Sequence, residues 1–260
     1  MHRFFLPPEN IVEKEVIFPE TAIRQIRSVL RLKPGEQVVV LDNHGSQFLV
    51  QLDVVSPEMV HGILMSKSPA EGEPSIRLRL FFSVTQREKV EWIFQKCTEI
   101  GVTAFFPFVS TYSLAREKGM DVSRLRRWEK IIQEAAEQCG RGHIPALHEV
   151  STLQDAIKKA SPKREINLLA WEGERELYLH QLMRGMLPGM DAGKKVNVFI
   201  GPEGGFAEGE VTLMKKAGFT SFSLGKRIYR VETAAMAASL LILYELENPW
   251  LEKPVGQQIL

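Results

Sequence analysis

The sequence has few cysteines, almost no net charge and no long run of apolar residues. With only two cysteines among 260 residues, Cys97 and Cys139, the chain lacks a disulfide framework and the thiolates for a zinc site. We expect both side chains to be buried as small hydrophobic groups. A net charge of +1, from 33 basic and 32 acidic residues, excludes a strongly basic protein that coats nucleic acid, although it permits a local basic site.

Export signals and common catalytic signatures are also missing. The longest apolar run, residues 234–244, falls short of the ~20 residues that a membrane-spanning helix needs. Pro7 and Pro8 interrupt the N-terminal segment before an apolar core of signal-peptide length can form, so we expect a cytoplasmic protein without a membrane partner. No phosphate loop, dinucleotide fingerprint or nucleophile elbow occurs, and the spacing around His143 and His148 predicts no metal site.

The first 72 residues are predicted to be rich in β-strand. Residues 38–41, 48–55 and 59–65 form short segments joined by tight turns, with apolar side chains alternating along the second of them. This pattern predicts a meander that closes into a small barrel. Residues 21–32 have helical spacing instead. Residues 68–74, with two prolines and a glycine, form the best linker, which predicts domains at residues 1–72 and 73–260.

From residue 76 onward, predicted strands alternate with predicted helices. The strands are expected at residues 78–84, 102–109, 166–171, 196–200 and 222–224. The helices are expected at residues 90–100, 122–139, 208–217 and 233–246, three of them followed by a glycine suited to the end of a helix. This alternation indicates an α/β domain whose largely parallel sheet is covered on both faces.

The most unusual segment is Ile200-Gly201-Pro202-Glu203-Gly204-Gly205-Phe206, between a predicted strand and a predicted helix. Open α/β sheets bind ligands at this position, and three glycines would let a flat ligand lie against the backbone. A tight turn that needs glycine for a positive φ explains the same residues without a ligand. The sequence leaves both interpretations open.

A second strand-to-helix segment, residues 224–234, carries Arg227, Arg230 and Glu232 close to the predicted start of a helix. Glu232 could serve only to complement the helix dipole, with Arg230 as its ion-pair partner. Two arginines at a helix N-terminus are nevertheless unfavourable unless an anion binds there, which favours a functional role.

A basic stretch begins before the predicted helix at residues 122–139, runs through it and ends just after it. It consists of Arg116, Lys118, Arg124, Arg126, Arg127, Lys130 and Arg141, and positions 124, 127 and 130 fall on one side of the helix, away from its apolar stripe. Such a face is usually only solvated. A stripe that contacts RNA phosphates is the alternative.

Several motifs together resemble the bacterial 16S rRNA (uracil-N3)-methyltransferase family, a branch of the trefoil-knotted SPOUT methyltransferases. The resemblance runs nearly from end to end. It rests on Arg3-Phe4-Phe5, Val29-Leu30-Arg31, Lys89-Val90-Glu91-Trp92-Ile93, Gln95-Lys96-Cys97-Thr98-Glu99, Trp128-Glu129-Lys130-Ile131, Glu137-Gln138-Cys139-Gly140-Arg141, the glycine-rich segment and Arg230-Val231-Glu232-Thr233-Ala234.

The resemblance implies a small N-terminal PUA-like β-barrel, a C-terminal α/β domain with a trefoil knot, and a homodimer. It implies S-adenosylmethionine as methyl donor and a uridine of 16S rRNA in the small ribosomal subunit as substrate. Arg230 would stabilise the uracil anion, and Glu232 would orient Arg230 or take the proton. The implied donor-binding residues are Ala170, Trp171, Glu172, Ile200, Gly201, Pro202, Gly204, Gly205, Leu224, Gly225, Ile228 and Tyr229. The implied RNA contacts are Arg3, Arg31, Lys89, Lys96, Arg127 and Arg141.

Three positions depart from the family pattern. Gln25 stands where many relatives have His, Tyr112 where they often have Arg, and Ala207 replaces a Ser or Thr at a helix start. The donor loops are intact, so the departures affect the expected RNA contacts more than the chemistry. Two alternatives stay open: a ribosome-assembly factor that has lost the reaction, and a methyltransferase acting on another RNA such as transfer RNA.

Overall fold

The computed structural model describes residues 1–113, 122–160, 165–186 and 193–247. The chain divides into two compact units, the first comprising Met1–Glu73 and Ile132–Ile144 and the second Pro74–Ile131 and Pro145–Leu260. The sequence predicted one boundary after residue 72. The structure divides the chain one residue later and adds Ile132–Ile144 to the first unit. The helical spacing of residues 122–139 is uninterrupted, so it does not show that the second half of this helix belongs to the first unit.

The first unit is built on a six-stranded sheet. Its strands are β1 (Arg3–Phe5), β2 (Ile11–Val12), β3 (Glu15–Ile17), β4 (Gln37–Leu41), β5 (Ser46–Val55) and β6 (Val60–Pro69). They follow the order β1-β4-β5-β6-β3-β2, with only the β1–β4 pair parallel. Strand β6 extends through Pro69 and so includes the first two residues of the predicted linker. Strands β1 to β3 carried no sequence signal because they are only two or three residues long.

The alternating residues of β4 and β5 form the core of the first unit. Val38, Val40 and Val50 are completely buried, which explains the period-2 pattern. The predicted helix at residues 21–32 is shorter and less regular than expected. Helix α1 (Glu20–Arg24) continues as a π-helical turn (Gln25–Val29).

Residues Ile132–Ile144 contribute side chains to the first unit. Ala136 is buried in a cluster with Phe5 and Leu41. The Glu137 carboxylate accepts a hydrogen bond from the backbone N–H of Phe5 at 3.0 Å. Burial raises the pKa of Glu137, although hydrogen bonds from Gln133 and Phe5 oppose that rise. The segment is therefore a structural part of the first unit.

The second unit contains a seven-stranded sheet in which every described pair is parallel. Its strands are β7 (Arg77–Ser83), β8 (Ala104–Val109), β9 (Ala146–Leu147), β10 (Ser151–Thr152), β11 (Ile166–Ala170), β12 (Lys195–Ile200) and β13 (Thr220–Phe222). The order is β10-β8-β7-β12-β11-β13, and β9 pairs with β8. The remaining described helices are α2 (Arg87–Ile100), α3 (Val122–Cys139), α4 (Leu153–Lys159), α5 (Leu179–Met186), α6 (Glu208–Lys216) and α7 (Val231–Glu247). None of these described helices is both long and apolar enough to cross a membrane.

Helices pack on both faces of the parallel sheet. Phe81 and Phe199 stack with centroids 4.3 Å apart on the face covered by α4 and α6. On the opposite face, Phe94 of α2 packs edge-on against Phe82 at 5.5 Å. The α/β prediction is therefore confirmed, and the mostly apolar composition of the strands follows from burial on both faces.

The two cysteines differ in environment. Cys97 is fully buried in α2, and burial raises the pKa of its thiol to about 12 despite a hydrogen bond involving Ser239. Cys139 is only partly buried. The predicted burial is correct for Cys97 and wrong for Cys139, the last residue of α3.

Candidate active site

One cavity of the second unit brings all the predicted donor-binding residues together. It has a volume of about 250 Å³. The predicted residues that line it are Ala170, Trp171, Glu172, Ile200, Gly201, Pro202, Gly204, Gly205, Leu224, Gly225, Ile228 and Tyr229. Five further residues, which the sequence analysis did not assign to donor binding, also line it: Glu203, Ser223, Arg227, Val231 and Ala234.

The parallel sheet explains why these loops meet. Strands β11, β12 and β13 are neighbours, and Ala170 at the end of β11 pairs with Ile200 of β12 and Phe222 of β13. Their carboxyl ends therefore lie in register at the same edge of the sheet. Loops that leave this edge surround the cavity, as is usual for ligand sites of open α/β sheets.

Packing within the protein accounts for the glycines of the segment after β12. A Cβ at Gly201 would come within 2.9 Å of the Phe206 ring, and one at Gly204 would come within 2.9 Å of Tyr112. Gly205 has a φ of +71°, and a Cβ there would overlap the Glu172 carboxylate. The turn interpretation is thus correct at Gly205, and the glycines by themselves do not prove ligand binding.

Gly225 differs from the other loop glycines. Its φ is +121°, and a Cβ built there would meet no atom within 4 Å. Its N–H donates to the Ser223 hydroxyl at 3.2 Å, which holds the loop in this conformation. Gly225 lines the cavity and contributes no side chain to its wall.

Glu203 links the cavity to residues that follow strand β7. Its carboxylate accepts hydrogen bonds from Lys89 Nζ at 2.7 Å and from the Thr85 hydroxyl. Burial alone would raise the pKa of Glu203, but the bonds from Lys89 and Thr85 outweigh it and lower the pKa. Chain order could have indicated this contact, because Thr85 and Lys89 follow the carboxyl end of β7, and β7 is the neighbour of β12 in the sheet.

The predicted catalytic residues flank the cavity in sequence but are not among its lining residues. Arg230 is exposed, and its carbonyl accepts the N–H of Ala234 at the start of α7. Glu232 has a buried carboxylate oxygen, Oε2, that lacks a hydrogen-bond partner. Among the ion pairs of the described residues there is none between Arg230 and Glu232, so the pairing considered from the sequence is not formed.

Arg141 is the predicted RNA contact that the structure contradicts. Its side chain is only 2% exposed, and its guanidinium donates to both carboxylate oxygens of Glu73 at 3.0 Å. Glu73 also accepts the backbone N–H groups of Gly142 and His143. An arginine that is buried and bound to Glu73 by two hydrogen bonds is a structural residue of the first unit and is not accessible to RNA.

Of the other predicted RNA contacts, Arg31 and Arg127 are exposed, whereas Arg3, Lys89 and Lys96 are partly buried. Arg31 is exposed in the first unit, where Arg3 donates to the carbonyl of Gln138 at 3.4 Å. In the second unit three predicted contacts form ion pairs: Lys89 with Glu203, Lys96 with Glu99 and Arg127 with Glu91. Arg116 and Lys118 of the basic stretch lie outside the described residues.

One departure from the family pattern has a structural compensation. Ala207 is the N-cap of α6, and its methyl group cannot accept a hydrogen bond. Glu210 accepts the N–H of Ala207 at 2.9 Å and also the backbone N–H of Thr111 at 2.8 Å. Glu210 therefore ties the start of α6 to the preceding chain, while no side chain accepts the first helical N–H groups as Ser or Thr would.

Known proteins resemble this chain in both sequence and structure. Residues 72–243 match the family model of the RNA methyltransferase domain. The chain is 28% identical to ribosomal RNA small subunit methyltransferase E of Bacillus subtilis, over 95% of this chain and 98% of that protein. It is 30% identical to the protein of the same name from Synechocystis, over 95% of this chain and 78% of the relative.

Two solved structures were determined with the methyl donor bound. A ribosomal RNA small subunit methyltransferase E from Neisseria gonorrhoeae, bound to S-adenosylmethionine, is 29% identical with a TM-score of 0.83, covering 94% of this chain and 97% of the other. A methyltransferase from Legionella pneumophila, also in complex with this donor, is 25% identical with a TM-score of 0.76, covering 93% and 96%. The matched length and these similarities establish that the chain belongs to the RNA methyltransferase family, together with the ribosomal RNA small subunit methyltransferase E proteins.

Proposed function

We propose that this protein transfers the methyl group of S-adenosylmethionine to N3 of a uridine in the 16S rRNA of the small ribosomal subunit. The observation that carries the proposal is the single cavity lined by every predicted donor-binding residue, in a chain of this family. Relatives named as small-subunit methyltransferases support the substrate, and two relatives solved with the donor support the cofactor.

The cavity suits the chemistry of this donor. Apolar side chains such as Leu224 and Ile228, with the backbone of the glycine-rich loop, would hold an adenosine group. Glu172 would attract the positively charged sulfonium and amino groups, and Arg227 would attract the carboxylate.

The reaction needs a cation and a proton acceptor near the uracil. The donor, when bound, supplies an electrophilic methyl group, and uracil N3 must lose its proton to attack that group. Arg230, exposed and next to the cavity-lining Tyr229 and Val231, would stabilise the resulting anion, an effect worth roughly 3–4 kcal/mol for a well-placed donor. Since Glu232 does not pair with Arg230 and has an unpartnered oxygen, we assign it the role of proton acceptor.

Finer features of the architecture belong to the same proposal. We take the first unit as a PUA-like barrel that binds RNA, the second as a trefoil-knotted domain, and the active form as a cytoplasmic homodimer. The sheet order of each unit is compatible with these assignments. Exposed apolar side chains on α7, at Leu240, Leu241 and Tyr244, support a subunit interface there. Arg3, Arg31, Lys89, Lys96 and Arg127 remain proposed RNA contacts.

The decisive experiment uses small ribosomal subunits from a strain that lacks the enzyme. The subunits are incubated with the purified protein and S-adenosylmethionine, and the digested RNA is analysed by mass spectrometry. We expect 3-methyluridine to appear. Donor binding in calorimetry without 3-methyluridine would indicate a different RNA substrate, whereas absence of both would favour the assembly-factor function.

A further inference from the structure

We infer that a cleft beside the donor cavity binds a phosphate group of the RNA substrate, an assignment that rests on the proposed function. The cleft has a volume of about 230 Å³. Thr85, Gln86 and Arg87, from the turn between β7 and α2, form one part of its lining. Arg124 and Trp128 of α3 form another part.

The charge of the cleft favours an anion. The side chain of Arg124 is exposed and has no ion pair with any carboxylate that the structure describes. Arg87 and Arg127 share the carboxylate of Glu91. Arg127 donates two hydrogen bonds to it, at 2.6 and 2.8 Å, and Arg87 donates one at 3.0 Å. One carboxylate cannot neutralise two guanidinium groups. Among the described side chains around the cleft, the guanidinium groups of Arg87, Arg124 and Arg127 outnumber the carboxylates of Glu88 and Glu91 by one. Glu203, which is bonded to Thr85, is paired with Lys89.

Unsatisfied donors belong to residues that line the same cleft. Gln86 is the N-cap of α2 without a side-chain cap, and the N–H of Val90 is the first to bond back along the helix, to Gln86 O at 3.1 Å. The preceding N–H groups therefore lack intrahelical acceptors. Independently, Trp128 is 1% exposed and its indole N–H has no acceptor among the described residues. Because an unpaired buried donor is unfavourable, the indole N–H is stabilised when a phosphate oxygen reaches it from the cleft.

The position of the cleft matches the substrate of the neighbouring cavity. Thr85 lines the cleft, and its hydroxyl donates a hydrogen bond to Glu203, which lines the donor cavity. One hydrogen bond therefore joins the wall of the cleft to the wall of the donor cavity. In a nucleotide, the base and its phosphate are separated by one ribose, so a uridine whose base reaches the donor cavity brings a phosphate close to the cleft.

A first experiment tests the cleft without the reaction. The indole signals of the four tryptophans are followed by NMR during titration with inorganic phosphate at constant ionic strength, and Trp128→Phe identifies the Trp128 signal. We expect a saturable shift of that signal in the unmodified protein and in the control Arg126→Ala, an exposed arginine of α3 outside the cleft lining. Arg124→Ala should abolish the shift. No shift, or an equal shift in both arginine variants, would overturn the inference.

A second experiment measures the effect on the substrate. Arg124→Ala should raise the KM for small subunits about tenfold. It should also lower the salt slope of log kcat/KM by about 0.7–0.9, while Arg126→Ala changes neither. S-adenosylmethionine affinity should stay constant. If the unmodified protein methylates subunits but the two variants behave alike, the cleft assignment fails and the function stands. If it methylates no subunits, the proposed function fails while the phosphate titration still decides the cleft.

Discussion

Replacing Glu73 with alanine should reveal whether Arg141 is a structural residue. The Arg141 side chain is 2% exposed, and Glu73 accepts two of its N–H groups and two backbone N–H groups at 3.0–3.1 Å. Breaking a buried pair by removing one partner costs about 3–5 kcal/mol. Because the Glu73 side chain is 25% exposed, water can reach part of the vacated site, so we expect a loss of ~3 kcal/mol, about two orders of magnitude in the unfolding equilibrium.

Urea unfolding followed by circular dichroism measures this loss. Glu71→Ala is the matched control, since Glu71 is an exposed acid two residues away, and it should change the free energy of unfolding by less than about 0.5 kcal/mol. A double variant with Glu73→Leu and Arg141→Met should recover part of the stability, because it leaves no buried charge. Equal effects of Glu73→Ala and Glu71→Ala would refute the reasoning, as would an Arg141→Ala variant of normal stability and weakened RNA binding.

Three further variants test the site and the surface. Arg230→Ala should lower kcat by roughly 10²–10³ while preserving the fold, measured as 3-methyluridine formed on small subunits. Gly205→Ala should destabilise the protein by about 1–3 kcal/mol and weaken S-adenosylmethionine binding in calorimetry, because its φ of +71° and the nearby Glu172 leave no place for a Cβ. Glu91→Gln should flatten the pH dependence of stability between about 4.5 and 2, because hydrogen bonds from Arg127, more than from Arg87, lower the pKa of Glu91 to about 2.

The pH effect of Glu91→Gln has a definite direction, and each of the three variants has a control or a result that would contradict its prediction. A lowered carboxyl pKa contributes stability that is complete above the ordinary value and is lost as the pH falls toward the lowered one. An unchanged acid slope in Glu91→Gln would therefore contradict the assignment. Gly209→Ala is the control for Gly205→Ala: its Cβ would meet nothing within 4 Å in α6, so it should stabilise the protein by up to about 1 kcal/mol. Full activity of Arg230→Ala would exclude its proposed role.

Local patterns were sufficient to predict the α/β unit and the place of the glycine-rich segment at the edge of its sheet. Strand β8 is a continuous apolar run, most residues of β7, β11 and β12 are apolar, and helical spacing marks α2, α3 and α7. The glycine-rich segment follows β12 directly, so its place at the sheet edge could be predicted from chain order alone. The family resemblance supplied the other two loops, and the register of Ala170 with Ile200 and Phe222 explains why all three meet.

Long-range partners could not be read from the chain. Arg141 looks like its basic neighbours in sequence, yet Glu73, 68 residues earlier, makes it a buried structural residue. In the same way, Glu203 pairs with Lys89 across 114 residues. The short strand β1 exists only because β4 supplies its hydrogen-bond partners.

The sequence by itself determined the alternation of elements, the glycine positions and the order of the loops, because periodicity and backbone conformation depend on neighbouring residues. Only the tertiary structure decided which charges are accessible. An arginine such as Arg124 stays exposed in a cleft, whereas Arg141 is buried against a carboxylate. The physical reason is that burial and ion pairing depend on which distant segments the fold brings into contact, and composition and spacing carry no record of those contacts.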